Sequence, residues 1–285
     1  MYSFVFTFVF ISINYKFYDN TRFMSSIKFY KYHGTANDFI MIEDRDKSIQ
    51  QQLSQEIIAK WCSRRFGVGA DGLILLQGHD TKDFYMQYYN SDGRSSSMCG
   101  NGGRCISQFA YDMGWVNGSN IEFMAVDGLH KAVVDRQKVY LSMSSVTDVT
   151  RDDEAFVMDT GSPHYVRFDT LDEINISTDG AEIRYNETYK SEGINVNIAE
   201  IIDNQVSMQT YERGVEAETY SCGTGTVAVA ISSLLHTHQP DGQYEVNINT
   251  KGGQLSVRCM KQNDAFEDIY LIGPAVRVFE GVLKY

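Results

Sequence analysis

Two phrases in this chain nearly repeat one another, Met98-Cys99-Gly100-Asn101-Gly102-Gly103 and Ser221-Cys222-Gly223-Thr224-Gly225-Thr226. A cysteine and two glycines recur at identical offsets in a sequence that holds only five cysteines, which points to a duplicated unit and so to two related halves. Each phrase closes a polar, turn-prone stretch and runs into apolar residues (Ile106, Phe109 and Ala110; Val227 to Ile231), the pattern of a glycine turn feeding a helix N-terminus. Unpaired backbone N–H groups there carry roughly half an elementary charge, which favours thiolate over thiol. Cysteines in such settings fall from about 8.5 to about 3.5–7.5. The expectation is therefore two activated thiols serving a reaction that needs two. One such turn alone is equally well explained by a buried, inert cysteine; the recurrence favours chemistry. Cys62, Cys105 and Cys259 lack the context and read as small core hydrophobes, Cys105 because a residue six positions after Cys99 on a helix points away from the first turn.

Strand-like runs dominate, over 27–32, 39–43, 73–76, 84–89, 121–126, 138–143, 165–168, 206–211, 244–250, 254–259 and 265–271, rich in β-branched and aromatic residues and punctuated by glycine turns. Helical patterns are few: 54–65 and the two segments after Cys99 and Cys222. The segment 222–235 has almost no polar side chain beyond its first turn and should be buried on all sides. In a strand-rich chain this implies a sheet wrapped around it. The fold class is α+β: two pseudo-symmetric halves, each a curved mixed β-sheet or barrel around a central apolar helix, both cysteine-bearing N-termini facing one cleft. The halves are placed at 27–143, carrying Cys99 and joined by the C-terminal strand 268–285, and at 144–267, carrying Cys222.

A net charge of −12 argues against nucleic acid or an anionic membrane as partner and favours a small molecule. An odd number of cysteines without tight spacing does not form a disulfide framework, and a histidine-poor CxxxxxC pair is a weak zinc candidate, so no metal is expected and a reducing cytoplasm fits best. The apolar run at 4–13 is too short to span a bilayer and lacks both flanks of a secretory signal. Residues 1–26 are read as an extension outside the fold, with a true start at Met24 favoured over a targeting segment.

A series of phrases then resembles one family. His33-Gly34-Thr35-Ala36-Asn37-Asp38-Phe39, Gly67-Val68-Gly69-Ala70-Asp71-Gly72, Asn90-Ser91-Asp92-Gly93, Cys99-Gly100-Asn101-Gly102, Gly161-Ser162-Pro163-His164, Gly193-Ile194-Asn195-Val196, Glu212-Arg213-Gly214, Glu218-Thr219 and Cys222-Gly223-Thr224-Gly225 follow the order found in the diaminopimelate epimerases. The resemblance implies a cofactor-independent isomerase that interconverts LL- and meso-diaminopimelate for lysine and peptidoglycan synthesis, working as a homodimer. Inverting an α-carbon requires a base on one face and an acid on the other, and Cys99 and Cys222 suit that pair. By the same resemblance Gly100, Asn101, Gly223 and Thr224 cradle the reacting carboxylate, and His164 and Glu212 orient and polarise the thiols. Arg213, with Glu212 beside it, binds the distal carboxylate, and Asn37, Asn90 and Asn195 bind the substrate's amino and carboxylate groups. Two positions depart from the family: Gly72 stands where many members have glutamine, and Ser162 where many have asparagine. Gly72 offers only backbone to a substrate. A proline or hydroxyproline racemase is the nearest rival, since it shares the two-cysteine logic and a similar second phrase, but it lacks the Glu-Arg-Gly phrase. A non-catalytic amino-acid-binding protein or a thiol redox module is the alternative of another class, with only Cys105 near enough to resolve a disulfide.

Overall fold

The unbroken apolar runs of the first half, Phe39-Ile40-Met41-Ile42 and Leu73-Ile74-Leu75-Leu76, are strands covered on both faces. A computed structural model describes residues 26–136 and 138–284; the apolar run at 4–13 lies outside the described residues. The first repeat consists of β1 (Ser26–Gly34), β2 (Asn37–Glu43), α1 (Gln55–Cys62), β3 (Gly72–Gln77), β4 (Phe84–Asn90), α2 (Gly100–Asp112), β5 (Asn120–Ala125), β6 (Gly128–Asp135) and β7 (Lys138–Ser142). β8 (Val149–Asp152) leads into the second repeat: β9 (Ala155–Asp159), β10 (Pro163–Phe168), α3 (Ile176–Arg184), β11 (Asn195–Ile202), β12 (Gln205–Glu212), α4 (Gly223–His236), β14 (Gly242–Thr250), β15 (Gly253–Gln262) and β16 (Ala265–Pro274). The short β13 (Ala217–Thr219) lies on β12, and β17 (Val276–Lys284) ends the chain.

Strand for strand the two repeats pair alike. β2 and β3 are parallel, as are β10 and β11; β3–β4 and β11–β12 are antiparallel; β4–β5 and β12–β14 are parallel again, spanning the central helix. Two antiparallel steps finish each repeat, and the final strands β7 and β16 pair antiparallel with Leu141 opposite Leu271. One ladder therefore runs through both halves. β17 returns to pair with β1, Leu283 opposite Ile27, while β8 covers β9 at the other end.

Side-chain alternation sorts each sheet into an inner and an outer face. Phe39, Met41, Ile74 and Leu76 pack on Cys105, Ile106, Phe109 and Ala110 of α2, whereas Ile40, Ile42, Leu73 and Leu75 pack with Ile58, Trp61 and Cys62 of α1. In the second half Val227 to Ile231 of α4 are fully buried against Val166, Met208, Ile248, Val257 and Leu271, and α3 covers the outer face at Val196, Ile198 and Tyr211. Among the described residues no helix is long and apolar enough to cross a membrane.

Two helical expectations need correction. α1 stops at Cys62 instead of 65, because the chain folds back and Val68 N–H and Ala70 N–H donate to the carbonyls of Trp61 and Cys62. α3 was not anticipated: only Ile176 and Gly180 are buried, and its start is fixed by the Asn175 side chain, which accepts from the N–H groups of Ser177 and Thr178.

Candidate active site

Cys99 and Cys222 are the N-cap residues of α2 and α4, both with extended backbone. The two helix starts meet at their first residues. A Cβ added to Gly100 would lie 3.6 Å from Gly223 Cα, and one added to Gly223 would lie 2.9 Å from Leu271 Cδ2 and 3.4 Å from Gly100 Cα. The two backbones are thus in van der Waals contact, and a side chain at Gly223 would press on Leu271. Asn101 ties the seam, its Nδ2 donating to the Ser221 carbonyl at 3.0 Å and to Asn37 Oδ1 at 3.2 Å.

The sulfurs have different neighbours. The Cys99 thiol donates to Asn37 Oδ1 at 3.6 Å, and Asn37 is held from behind by Asp71, which accepts from its Nδ2 at 2.7 Å. Cys222 Sγ accepts from the Gly225 N–H at 3.4 Å and lies 3.5 Å from Thr224 Oγ1, which is 2.8 Å from His164 Nε2. His164 thus reaches Cys222 through Thr224. A third cluster lies on the second half: Asn195 Nδ2 donates to Ser162 Oγ at 2.9 Å, its Oδ1 accepts from the Arg213 N–H at 2.9 Å, and Arg213 Nη2 donates to Ser162 Oγ at 3.3 Å. Arg213 is exposed, and its Nη1 also donates to the Glu192 carbonyl at 3.2 Å. Asn90 stands at the end of β4 opposite Gly72, which is itself opposite Phe39 of β2, so Asn90 and Asn37 lie at the ends of the two strands that flank β3.

The charge states differ from the sequence expectation. Burial pushes both thiols up, Cys222 to about 12, and the Glu212 carboxylate acts in the same direction on each. Backbone N–H groups of Gly102 and Asn101 on Cys99, and of Gly225 on Cys222, pull the other way and lose. A partial charge at a helix end does not offset the loss of water around a buried anion. Burial likewise raises Glu212, helped by the nearby Asp71, and lowers His164 to about 3, helped by Arg213.

The space beside Gly72 is filled. A Cβ there would fall 2.5 Å from Tyr88 Cε2 and 2.5 Å from the Tyr89 carbonyl oxygen, so the ring of Tyr88 occupies the volume a glutamine side chain would need. Sequence reasoning also missed Arg104, fully buried on α2, whose Nη2 donates to Thr35 Oγ1 at 2.9 Å and Asn101 Oδ1 at 3.0 Å. Its Nε and Nη1 have no partner among the described residues. The signal was an arginine inside an otherwise buried, glycine-rich helix start. Thr35 and Ala36 form the two-residue β1–β2 turn with φ of 54° and 64°, a left-handed conformation that disfavours side chains. Among the described residues no group of three or more His, Cys, Asp or Glu side chains converges as a metal site would.

A family model described as diaminopimelate epimerase matches residues 29–147 and 156–278. A diaminopimelate epimerase of Flavobacterium psychrophilum is 44% identical over 257 residues, covering 89% of this chain and 99% of its own. Those of Chlorobaculum tepidum and Aquifex aeolicus are 39% and 35% identical, covering 88% and 90% of this chain and 98% of each relative. Among solved structures, a PhzF-family phenazine biosynthesis protein of Bacillus anthracis superposes with a TM-score of 0.71 at 12% identity, covering 91% of this chain and 99% of that one. A hydroxyproline epimerase of Agrobacterium vitis with bound trans-4-hydroxy-L-proline gives 0.64 at 11% identity, covering 91% of each chain. At such identities the likeness is one of fold.

Proposed function

The chain belongs to the diaminopimelate epimerase family, and from that membership we propose that it interconverts LL- and meso-2,6-diaminopimelate, with Cys99 and Cys222 as the two proton-transfer groups. The observation that carries the reading is the meeting of the two cysteine-capped helix starts at Gly100 and Gly223. A substrate carboxylate seated on their N–H groups would sit at the positive ends of both helices, with its α-carbon beside the two cysteines.

In one direction the Cys222 thiolate takes the α-proton, the C–H electron pair moves onto the carboxylate held by the helix N–H groups of Gly100, Asn101, Gly223 and Thr224, and the Cys99 thiol delivers its proton to the opposite face. The reverse reaction exchanges the roles. Both thiols are pushed up, so the base forms as substrate enters, when the α-ammonium takes the place of the water that burial removed. Glu212, also raised by burial, receives the thiol proton, and His164 acts by hydrogen bonding. Asn37 and Asn90 hold the amino end, and Ser162, Asn195 and Arg213 the distal carboxylate. That distal cluster favours a long substrate with a second carboxylate over proline. Each half carries one reacting thiol, Cys99 in 27–143 with the returning strand β17 and Cys222 in the part from 144 through β16. We assign the enzyme to the cytoplasm as a homodimer that handles neither nucleic acid nor membrane and needs no cofactor.

Proton NMR of LL-diaminopimelate in D2O with reduced protein tests this beside Cys99→Ala, Cys222→Ala and a parallel proline sample. Deuterium entering the α-position with formation of meso product, lost in both variants, is the expected result. Exchange into proline alone moves the enzyme to the racemase branch, and no exchange into either substrate refutes the proposal.

A further inference from the structure

Asn197 is fully buried on β11, two residues beyond Asn195, and has no part in the chemistry above. Its Nδ2 lies 3.0 Å from the Tyr165 carbonyl oxygen and 3.0 Å from His164 Nδ1, and its Oδ1 lies 3.0 Å from Thr210 Oγ1. The Tyr165 oxygen has no proton to give, so the amide cannot be turned round: Nδ2 donates one N–H to that oxygen and the other to His164 Nδ1. Nδ1 is therefore the bare nitrogen of a neutral ring, and the ring proton sits on Nε2. That N–H points at Thr224 Oγ1, 2.8 Å away. Having accepted there, Thr224 turns its own proton toward its other side-chain neighbour, Cys222 Sγ, at 3.5 Å. The Gly225 N–H reaches the same sulfur.

We infer that Asn197 is a positioning residue: by holding His164 as the Nε2–H tautomer, it makes His164 and Thr224 a one-way row of hydrogen-bond donors that ends on Cys222 and stabilises its thiolate. The inference rests on the two-cysteine reading of the site. The setting of His164 agrees, since burial and Arg213 both oppose a charged ring. His164 accordingly takes no proton from Cys222; it directs the hydroxyl that steadies the sulfur. A donor facing a sulfur distinguishes thiolate from thiol, because hydrogen bonds to an ionised acceptor are about twice as strong as neutral ones. The row therefore acts on the protonation equilibrium of Cys222 more than on substrate affinity.

Two measurements decide it, on wild type, Asn197→Leu, Thr224→Val and Thr224→Ser, each checked for native circular dichroism. Imidazole 15N shifts of wild type are expected to show His164 with a protonated Nε2 and a bare Nδ1 from pH 6 to 9, a fixed pattern that Asn197→Leu loses. kcat at its pH plateau is expected to fall about tenfold in Asn197→Leu and Thr224→Val, the effect of losing one hydrogen bond to a charged group. KM should change little, and Thr224→Ser should restore kcat. If Asn197→Leu does not fold, Thr224→Val carries the kinetic arm. A proton on Nδ1 in wild type overturns the inference, and so does an unchanged kcat in the folded variants. Wild type that fails to exchange the α-hydrogen of diaminopimelate removes the epimerase reading instead, and the nitrogen shifts still decide the role of Asn197.

Discussion

His164 should make the fold acid-labile by an amount that can be isolated. Its folded-state pKa is lowered to about 3, with burial as the main cause and Arg213 second, whereas in the unfolded chain it titrates near 6.5. Between those values the unfolded state binds more protons, so stability falls as pH drops below about 6.5 and is unaffected above it. At pH 5 the loss from this one group is about 1.5 units times about 1.4 kcal/mol, or about 2 kcal/mol. Urea unfolding of wild type and His164→Gln at pH 7.5 and pH 5.0 reads the difference, since every other titrating group is common to both proteins. Wild type should lose about 2 kcal/mol more than the variant on going to pH 5. Equal losses, or a His164 ring that titrates near 6.5 by NMR, would refute the argument that burial keeps it neutral.

Three further outcomes are expected. Gly72→Gln should cost about 1–3 kcal/mol by thermal or urea unfolding, because its Cβ meets the Tyr88 ring and the Tyr89 carbonyl; unchanged stability would show that the strand gives way. In Cys99→Ala, the 13Cβ shift of Cys222 should show a thiol through pH 9 and begin to move only toward about 12; a transition below pH 8 in the free enzyme would restore the low-pKa expectation. Arg104→Met should lower kcat, since Asn101 and Thr35 lose a donor at the seam; a wild-type kcat would refute this.

Much of the fold was legible because burial on both faces writes a strong pattern. The runs at 39–42 and 73–76, and the wholly apolar 227–231, announce covered strands and an enclosed helix. β11 was not legible, for a reason tied to the site: Asn195 and Asn197 fill buried positions that an ordinary strand would give to Val or Ile. Polar residues placed inward for hydrogen bonding erase the alternation by which strands are recognised. α3 was missed because it lies on the outer face with little apolar surface to bury. The cysteine positions were readable from glycine spacing, but the sign of their pKa shift was not. A sequence shows a helix end and conceals how deeply the tertiary fold sinks it.

The departures from symmetry show how the seam works. Asn101 and Thr224 stand at the same offset from their cysteines, yet Asn101 reaches across to the Ser221 carbonyl while Thr224 turns back to its own sulfur and to His164. Three residues on, Arg104 and Val227 are again equivalent and both fully buried, but only Arg104 carries a charge, which it spends on Asn101 and on the left-handed Thr35. Thr35 in turn accepts from Ser221 Oγ at 3.1 Å, closing a loop of contacts between the halves. Duplication thus accounts for two cysteine-capped helix starts meeting at one seam, which symmetry alone can supply. Fastening the halves and holding one sulfur among donors cannot come from identical copies, and those tasks fall to the positions where the repeats differ. The locally unfavourable features, a buried guanidinium with two unpartnered nitrogens and two left-handed residues in a tight turn, lie together on the first-half side of that seam, so substitutions that relieve them should trade stability against the alignment of the two helix starts.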